Sequence, residues 1–353
     1  MREFCLYILL FTSCTLAAQV SVSSLDISQL NNQISDSLQT KQTALNWQDM
    51  DTQLLWSALS LTDSIAIIGF KPPAILNERE AITTNNFSNS EWTAARKNLR
   101  TFILNESRAF DSNLSATDLF LNSTDIARPY IYAKIHSASI LQSLRTAVNI
   151  RYVEPANFEY LGTANRSGEG CSDYSVVVDA NDYSAISPSA IASWTQAEHM
   201  IDLAWPKSNK GAGVWIAVMD TGISNDNPKF NTEFDEGESA GRFIEKKGFY
   251  APNGTNDGVD DQCGHGTAMA GLAVGTRGFN NTPAGVSYQA NLISYRVTND
   301  VIINASAEID GLHDGLYDAA DDTRVSVISI SLGDILPTDQ LRMALFMRTI
   351  KEN

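Results

Sequence analysis

Two short runs place side chains that together could activate a hydroxyl nucleophile. The apolar run GVWIAVMDTGI ends in Asp220-Thr221-Gly222, which puts a carboxylate at the close of a strand-like segment. The run CGHGTAMAGLAVG sets His265 at the opening of a helix built almost wholly from small residues. A serine hydroxyl is a poor nucleophile until a neighbouring imidazole removes its proton during attack on a carbonyl. A buried carboxylate bonded to the other ring nitrogen fixes the tautomer and stabilises the imidazolium. Asp220 suits that second role because Val214 to Met219 are apolar and predict a buried strand. Gly222 permits a sharp exit from it. Gly266, Ala268, Ala270, Gly271, Ala273 and Gly275 would let the helix lie close against a sheet. Glycines weaken an isolated helix by about 1 kcal/mol each relative to alanine, so their density predicts a packing role. The third member of such a triad is missing, because no Gly-Thr-Ser or comparable serine run follows His265 before Asn353.

The order Asp then His, each on this kind of element, resembles the subtilases, the subtilisin-like serine peptidases. The resemblance makes Asp220 the triad acid and His265 the general base. It continues through ANLISYRV, read as the strand after the His helix, and VSVISISLG, read as the next strand. In subtilases that later strand ends in a Ser-Leu-Gly segment lining the substrate cleft, here Ser331, Leu332 and Gly333. The likeness covers roughly 190 to 340 and stops short of the family's oxyanion-hole Asn and nucleophilic Ser. It therefore implies the front part of a peptidase domain, inactive by itself, with a polypeptide as substrate. No cofactor is required for such catalysis.

Three rival readings start from the same residues. Asp-Thr-Gly is also the signature of aspartic peptidases, but those need two such carboxylates sharing a proton, and this chain has one, set among alternating strands and helices. Gly237-Glu238-Ser239-Ala240-Gly241 matches the G-x-S-x-G elbow of α/β-hydrolases. That elbow must follow a buried strand, whereas this one follows the acidic stretch NTEFDE, which predicts a surface-loop Ser239. The third rival is a non-catalytic chain that keeps the fold, either a decayed product or a binding module.

The elements that would position Asp220 and His265 alternate regularly. Strand 213–219 leads to helix 266–275, strand 291–297, helix 307–320, strand 325–331 and helix 338–350. Such alternation predicts a parallel sheet with right-handed crossovers. The near-continuous apolar character of VSVISIS predicts a strand covered on both faces. The fold class expected is α/β, a subtilisin-like parallel sheet flanked by helices and incomplete here, preceded by a small α+β domain. An open sheet edge and poor solubility are expected to follow from the missing strand.

Residues 1–18 look like a secretory signal, with Arg2, the apolar core FCLYILLF and the small residues TLAA. The apolar run is too short to span a bilayer, so no stable membrane anchor is expected and the product is secreted. A lipoprotein-type signal at Cys14 fits less well, because Phe11 is a poor start for one. Between 26 and 160 a helical preface is followed by strand, helix, strand, short helix and strand: SIAIIGFK, SEWTAARKNLRTFILNE, PYIYAKIH, SASILQSLRTA and NIRYVEP. This resembles a subtilase propeptide, which implies an intramolecular chaperone and inhibitor of the peptidase. Residues 161–189, rich in Gly, Ser, Asn and Asp, read as a linker open to maturation cleavage. The peptidase part, 190–353, then opens with SWTQAEHMIDLAW, similar to the helical lead-in of the family. His136, His199 and His313 belong to no motif and read as structural.

Net charge narrows the partners. At −16 over 353 residues the chain is unsuited to nucleic acid, whose phosphates demand clustered Lys and Arg. Cys171 and Cys263 remain after signal removal, and either a disulfide or a free thiol two positions from His265 fits the sequence. The loop NGTNDGVDDQ offers Asp257, Asp260 and Asp261 as oxygen ligands, so structural calcium is possible.

Overall fold

A computed structural model describes residues 22–41, 46–75, 87–121, 128–158, 160, 171, 179–303 and 305–333. The expected signal at 1–18, helix 338–350 and most of the linker lie outside these residues.

The front domain is a four-stranded sheet under helices. Its elements are α1 (Ile27–Lys41), α2 (Thr52–Leu61), β1 (Ile65–Phe70), α3 (Ser90–Phe110), the single turn α4 (Ala116–Leu119), β2 (Phe120–Leu121), β3 (Tyr130–Lys134), α5 (Ala138–Thr146) and β4 (Ile150–Pro155). The order β2-β3-β1-β4 puts β1 centrally, antiparallel to both β3 and β4. Its sequence IAIIGF supplies the β-branched residues that pack well on a pleated surface. Polar side chains start the helices: Asp51 accepts from Leu54 N–H, Asn89 from Trp92 N–H and Ser137 from Ile140 N–H. Each such cap satisfies a donor that the helix leaves open and contributes about 1 kcal/mol. Leu55, Leu59, Phe70, Trp92, Leu99 and Tyr152 fill the core.

The second half begins with a hairpin, β5 (Tyr183–Ile186) and β6 (Ala190–Ser193). Two short helices follow, α6 (Trp194–Glu198) and α7 (Ile201–Ala204), then β7 (Trp215–Asp220), β8 (Ile244–Gly248), α8 (His265–Val274), β9 (Thr282–Pro283), β10 (Asn291–Arg296), α9 (Ser306–Asp321) and β11 (Val325–Ile330). The main sheet has the order β11-β7-β10-β8 and every pairing in it is parallel. Residues of β7 alternate between its faces. Ile216 and Val218 pack toward Ala270 and Val274 of α8, while Ala217 and Met219 pack toward Leu312 and Leu316 of α9. A parallel sheet covered on both faces needs a strand apolar at every position, and WIAVM provides it.

Five details differ from the sequence reading. The lead-in is two short helices rather than one, because Met200 between them takes a left-handed backbone (φ 54°). Strand β5 lies inside the expected linker, paired with β6. Strand β8, IEKKG, carries three charged residues and shows no apolar period, yet pairs with β10 at the sheet edge. Ser239 is fully buried in a 3₁₀ turn instead of lying on the surface, since its hydroxyl accepts the N–H of Arg277. Strand β11 is outermost among the described residues, and Val327 on it is 48% exposed rather than covered.

The two halves meet across α9. Arg128 of the front domain ion-pairs with Asp310 and donates to both carboxylate oxygens of Asp314, at 2.7 and 2.9 Å. The hydroxyls of Tyr130 and Tyr132 each donate to Asp310 Oδ1 at 3.0 Å. Asn157 Oδ1 accepts the N–H of Ser306, so a front-domain side chain caps α9. Among the described residues no helix is long and apolar enough to cross a membrane.

Candidate active site

Strand β7 runs in register with β10 from Trp215 opposite Asn291 to Asp220 opposite Arg296. Asp220 therefore sits at the carboxyl end of a central parallel strand, where open α/β sheets hold their ligands. It is 1% exposed. His265 is the first residue of α8, and its Nδ1 lies 2.8 Å from Asp220 Oδ1. With the carboxylate ionised, Nδ1 carries the proton and donates, which leaves the Nε2 lone pair free to accept one. The imidazole side chain stays 24% exposed, so it is not sealed off from an incoming substrate.

Asp220 Oδ1 also accepts the N–H of Thr221 at 2.8 Å, while Oδ2 is buried with no hydrogen-bond partner among the described residues. Burial pushes the Asp220 carboxyl above the ordinary range, opposed by the bonds from His265 and Thr221. A buried carboxylate that leans on one imidazole stabilises positive charge on that ring, which is the electrostatic task a general base requires of its partner.

Close backbone approach makes the contact possible. Gly222 has φ +106°, and a Cβ there would meet Val259 O at 2.6 Å. A Cβ on Gly266 would collide with the carbonyl and amide of Gly222. The first turn of α8 thus rests directly on the strand exit, as the small-residue stretch predicted. Gly271 departs from that prediction, since a Cβ there meets nothing within 4 Å.

Arg296 reinforces the strand end from below. Its guanidinium is fully buried and donates to Thr221 O at 2.8 Å, Asp260 O at 2.6 Å, Asp257 Oδ2 at 2.6 Å and Asn299 Oδ1 at 3.1 Å. Sequence reasoning passed over it, although a lone arginine in the apolar run NLISYRV was a visible signal. Cys171 and Cys263 form a disulfide with Cα atoms 4.7 Å apart, which settles the alternative left open by the sequence and ties the linker to the loop before His265.

The three aspartates offered for calcium do not converge. Asp257 faces Arg296, Asp260 accepts the N–H of Asn225, and Asp261 accepts from Thr221, Cys263, Gly264 and Thr267. Among the described residues no group of three metal-binding side chains is present. Oxygens already aimed at donors do not fit a shared cation.

Ser331, Leu332 and Gly333 follow β11 directly. Gly333 already uses its main chain: its N–H donates to Val301 O at 3.1 Å and its carbonyl accepts from Ile303 N–H at 2.9 Å. His199 bonds its own helix through Thr195 O, and His313 is buried against Asp314, Tyr130 and Tyr317. Both stand apart from the Asp220–His265 pair.

Residues 211–349 match the family model described as Subtilase family. That segment is similar to the subtilases. The chain is 29% identical over 140 residues to the major intracellular serine protease of Bacillus subtilis, covering 40% of each chain. It is 30% identical over 152 residues to halolysin of Haloferax mediterranei, covering 43% of this chain and 27% of that one. Against subtilisin of a Bacillus strain the figures are 28% over 156 residues, 43% and 34%. The chain thus spans well under half the length of these curated relatives. A solved structure, MycP1 with its N-terminal propeptide removed, aligns over 38% of this chain at 25% identity with a TM-score of 0.29.

Proposed function

We propose that this chain is the front part of a secreted subtilase precursor that hydrolyses peptide bonds by acyl transfer, with Asp220 as triad acid and His265 as general base. The observation that carries the reading is the 2.8 Å contact between His265 Nδ1 and the buried Asp220 carboxylate at the carboxyl end of β7. In this mechanism Nε2 of His265 accepts the serine hydroxyl proton as the oxygen attacks the scissile carbonyl. Asp220 holds the Nδ1–H tautomer and stabilises the imidazolium, which then gives its proton to the leaving amine. No serine among the 353 residues is assigned as nucleophile. The aspartic-peptidase alternative is disfavoured by the same contact, since the Asp220 partner is an imidazole and not a second carboxylate.

Residues 26–160 act in this proposal as propeptide, folding helper and intramolecular inhibitor. Their seat on α9 through Arg128, Tyr130, Tyr132 and Asn157 supports that role. The substrate is an extended polypeptide lying along Ser331, Leu332 and Gly333. For a peptide strand to enter beside Gly333, the Ile302–Gly333 bridge has to part.

The test is active-site labelling of the product of the uninterrupted native gene with a fluorophosphonate probe. Labelling on a serine, lost in His265→Ala, supports the reading. Labelling that survives both His265→Ala and Asp220→Ala refutes it. Peptidase turnover by the 353-residue chain, abolished by pepstatin-type inhibitors, would establish the aspartic alternative instead.

A further inference from the structure

Asp261 lies four positions before His265 and accepts five hydrogen bonds. Its Oδ1 takes the Thr221 hydroxyl at 2.8 Å, the Cys263 N–H at 3.0 Å and the Gly264 N–H at 2.8 Å. Its Oδ2 takes the Thr267 N–H at 2.8 Å and the Thr267 hydroxyl at 2.6 Å. Every one of these groups is a donor, so both carboxylate oxygens are needed as acceptors.

The two hydroxyls carry the network onward. Thr221 Oγ1 accepts the N–H of Gly266 at 2.9 Å, and Thr267 Oγ1 accepts the N–H of Ser224 at 2.9 Å. A hydroxyl has one proton to give. The Thr267 proton goes to Asp261, and the Thr221 proton goes to Asp261 at 2.8 Å in preference to Asp220 Oδ1 at 3.3 Å, so both oxygens are turned to receive those amides. Asp261 thereby joins four pieces of chain: the end of β7 at Thr221, the strand exit at Ser224, the loop 263–264 and the first turn of α8. Gly264 and Gly266, on either side of His265, are held by this one carboxylate, directly or through Thr221. The Thr221 N–H, on the same residue as that hydroxyl, donates to Asp220 Oδ1 at 2.8 Å.

We propose that Asp261 is a positioning residue that fixes His265 against Asp220. The proposal rests on the reading of Asp220 and His265 as acid and base. Charge-assisted bonds to a carboxylate are roughly twice as strong as neutral ones, which suits a group that must hold two backbone segments in fixed relation. Burial raises the Asp261 carboxyl, but the bonds from Thr267, Gly264 and Thr221 outweigh it and leave it below the ordinary range, so it is ionised at neutral pH.

The experiment is NMR of the 353-residue chain with ¹⁵N-labelled histidine, following the downfield Nδ1–H proton of His265 and its ring tautomer. Asp220→Asn in the parent calibrates the signal, which must vanish if the acid–base pair is real. Asp261→Asn is isosteric but turns an NH₂ group toward donors whichever way it faces. It is expected to lose the Nδ1–H resonance and to shift the ring from one dominant tautomer to a mixture, while the chain still melts cooperatively. An unchanged resonance and tautomer in a folded Asp261→Asn chain overturns the proposal. If Asp261→Asn does not fold, Thr267→Val removes one hydroxyl, with its bonds to Asp261 and from Ser224; partial loss of the resonance supports the proposal and none overturns it. A parent resonance that survives Asp220→Asn sinks the acid–base reading itself, and the positioning role with it.

Discussion

Alanine substitution at Gly266 and at Gly271 should have opposite signs, although both residues lie in α8. Replacing glycine by alanine inside a helix ordinarily stabilises it by about 1 kcal/mol through lower backbone entropy in the unfolded chain. At Gly271 a Cβ meets nothing within 4 Å, so that gain should appear nearly whole. At Gly266 the added carbon lies within about 3 Å of three backbone atoms, Gly222 O, Gly222 N and Thr221 N. Backbone cannot swing aside as a side chain tip can, so α8 must lift from the strand exit. Overpacking of this kind costs about 1–3 kcal/mol before the propensity gain is subtracted. Lifting the first turn also stretches the bond from Gly266 N–H to Thr221 and the contact of His265 with Asp220. Urea denaturation followed by tryptophan fluorescence, with the histidine NMR signal recorded on the same samples, measures both effects. The expected separation between the two variants is about 1–3 kcal/mol, with the His265 signal disturbed only in Gly266→Ala. Equal stabilities, or an undisturbed signal in a destabilised Gly266→Ala, would refute the close-contact reasoning.

Arg128→Met removes the cation shared by Asp310 and Asp314 and leaves Asp310 bonded to two tyrosines; a loss of about 2–3 kcal/mol, discounted for the half-exposed Asp314, should show as earlier separation of the two halves in limited proteolysis. Acid should loosen the same junction. Burial raises Asp314, but its bond from His313 and the charge of Arg128 outweigh that and hold it below the ordinary value. A carboxyl depressed on folding contributes fully above its unfolded value near about 4 and loses that contribution as pH falls through the folded one. Melting temperature should therefore fall below about pH 4, and the fall should be smaller in Asp314→Asn. Ser239→Ala should leave probe labelling of the full-length product unchanged while costing about 1–2 kcal/mol in thermal melts, because the half-buried Arg277 N–H loses its acceptor.

The parallel sheet and its order of strands and helices were legible because a twice-covered strand must be apolar at every position. WIAVMD and NLISYR announce that condition, and small residues before and after His265 announce close packing. Strand β8 was not legible, since an edge strand can carry charge on its exposed side chains: Lys247 bonds Asp318 and Glu245 bonds Arg324. Ser239 was misread for a related reason. Its acidic neighbours suggest solvent, but its own hydroxyl is spent on a backbone amide from residue 277, a contact remote in sequence. The positions of Asp220 and His265 could be expected from motif and element. Their 2.8 Å contact, and the role of Asp261 as acceptor rather than metal ligand, required the folded arrangement.

The Cys171–Cys263 bond divides the linker into two stretches with different fates on cutting. A nick on the N-terminal side of Cys171 separates the front domain from everything covalent, so only the α9 junction would retain it. A nick between Cys171 and β5 leaves the front domain and the His265-bearing part as two polypeptides joined through sulfur, inseparable by dilution or by protonation of the junction. One cut therefore releases the front domain or leaves it tethered according to which side of a single cysteine it falls, and the tethered form comes apart on reduction or on a second cut before Cys171.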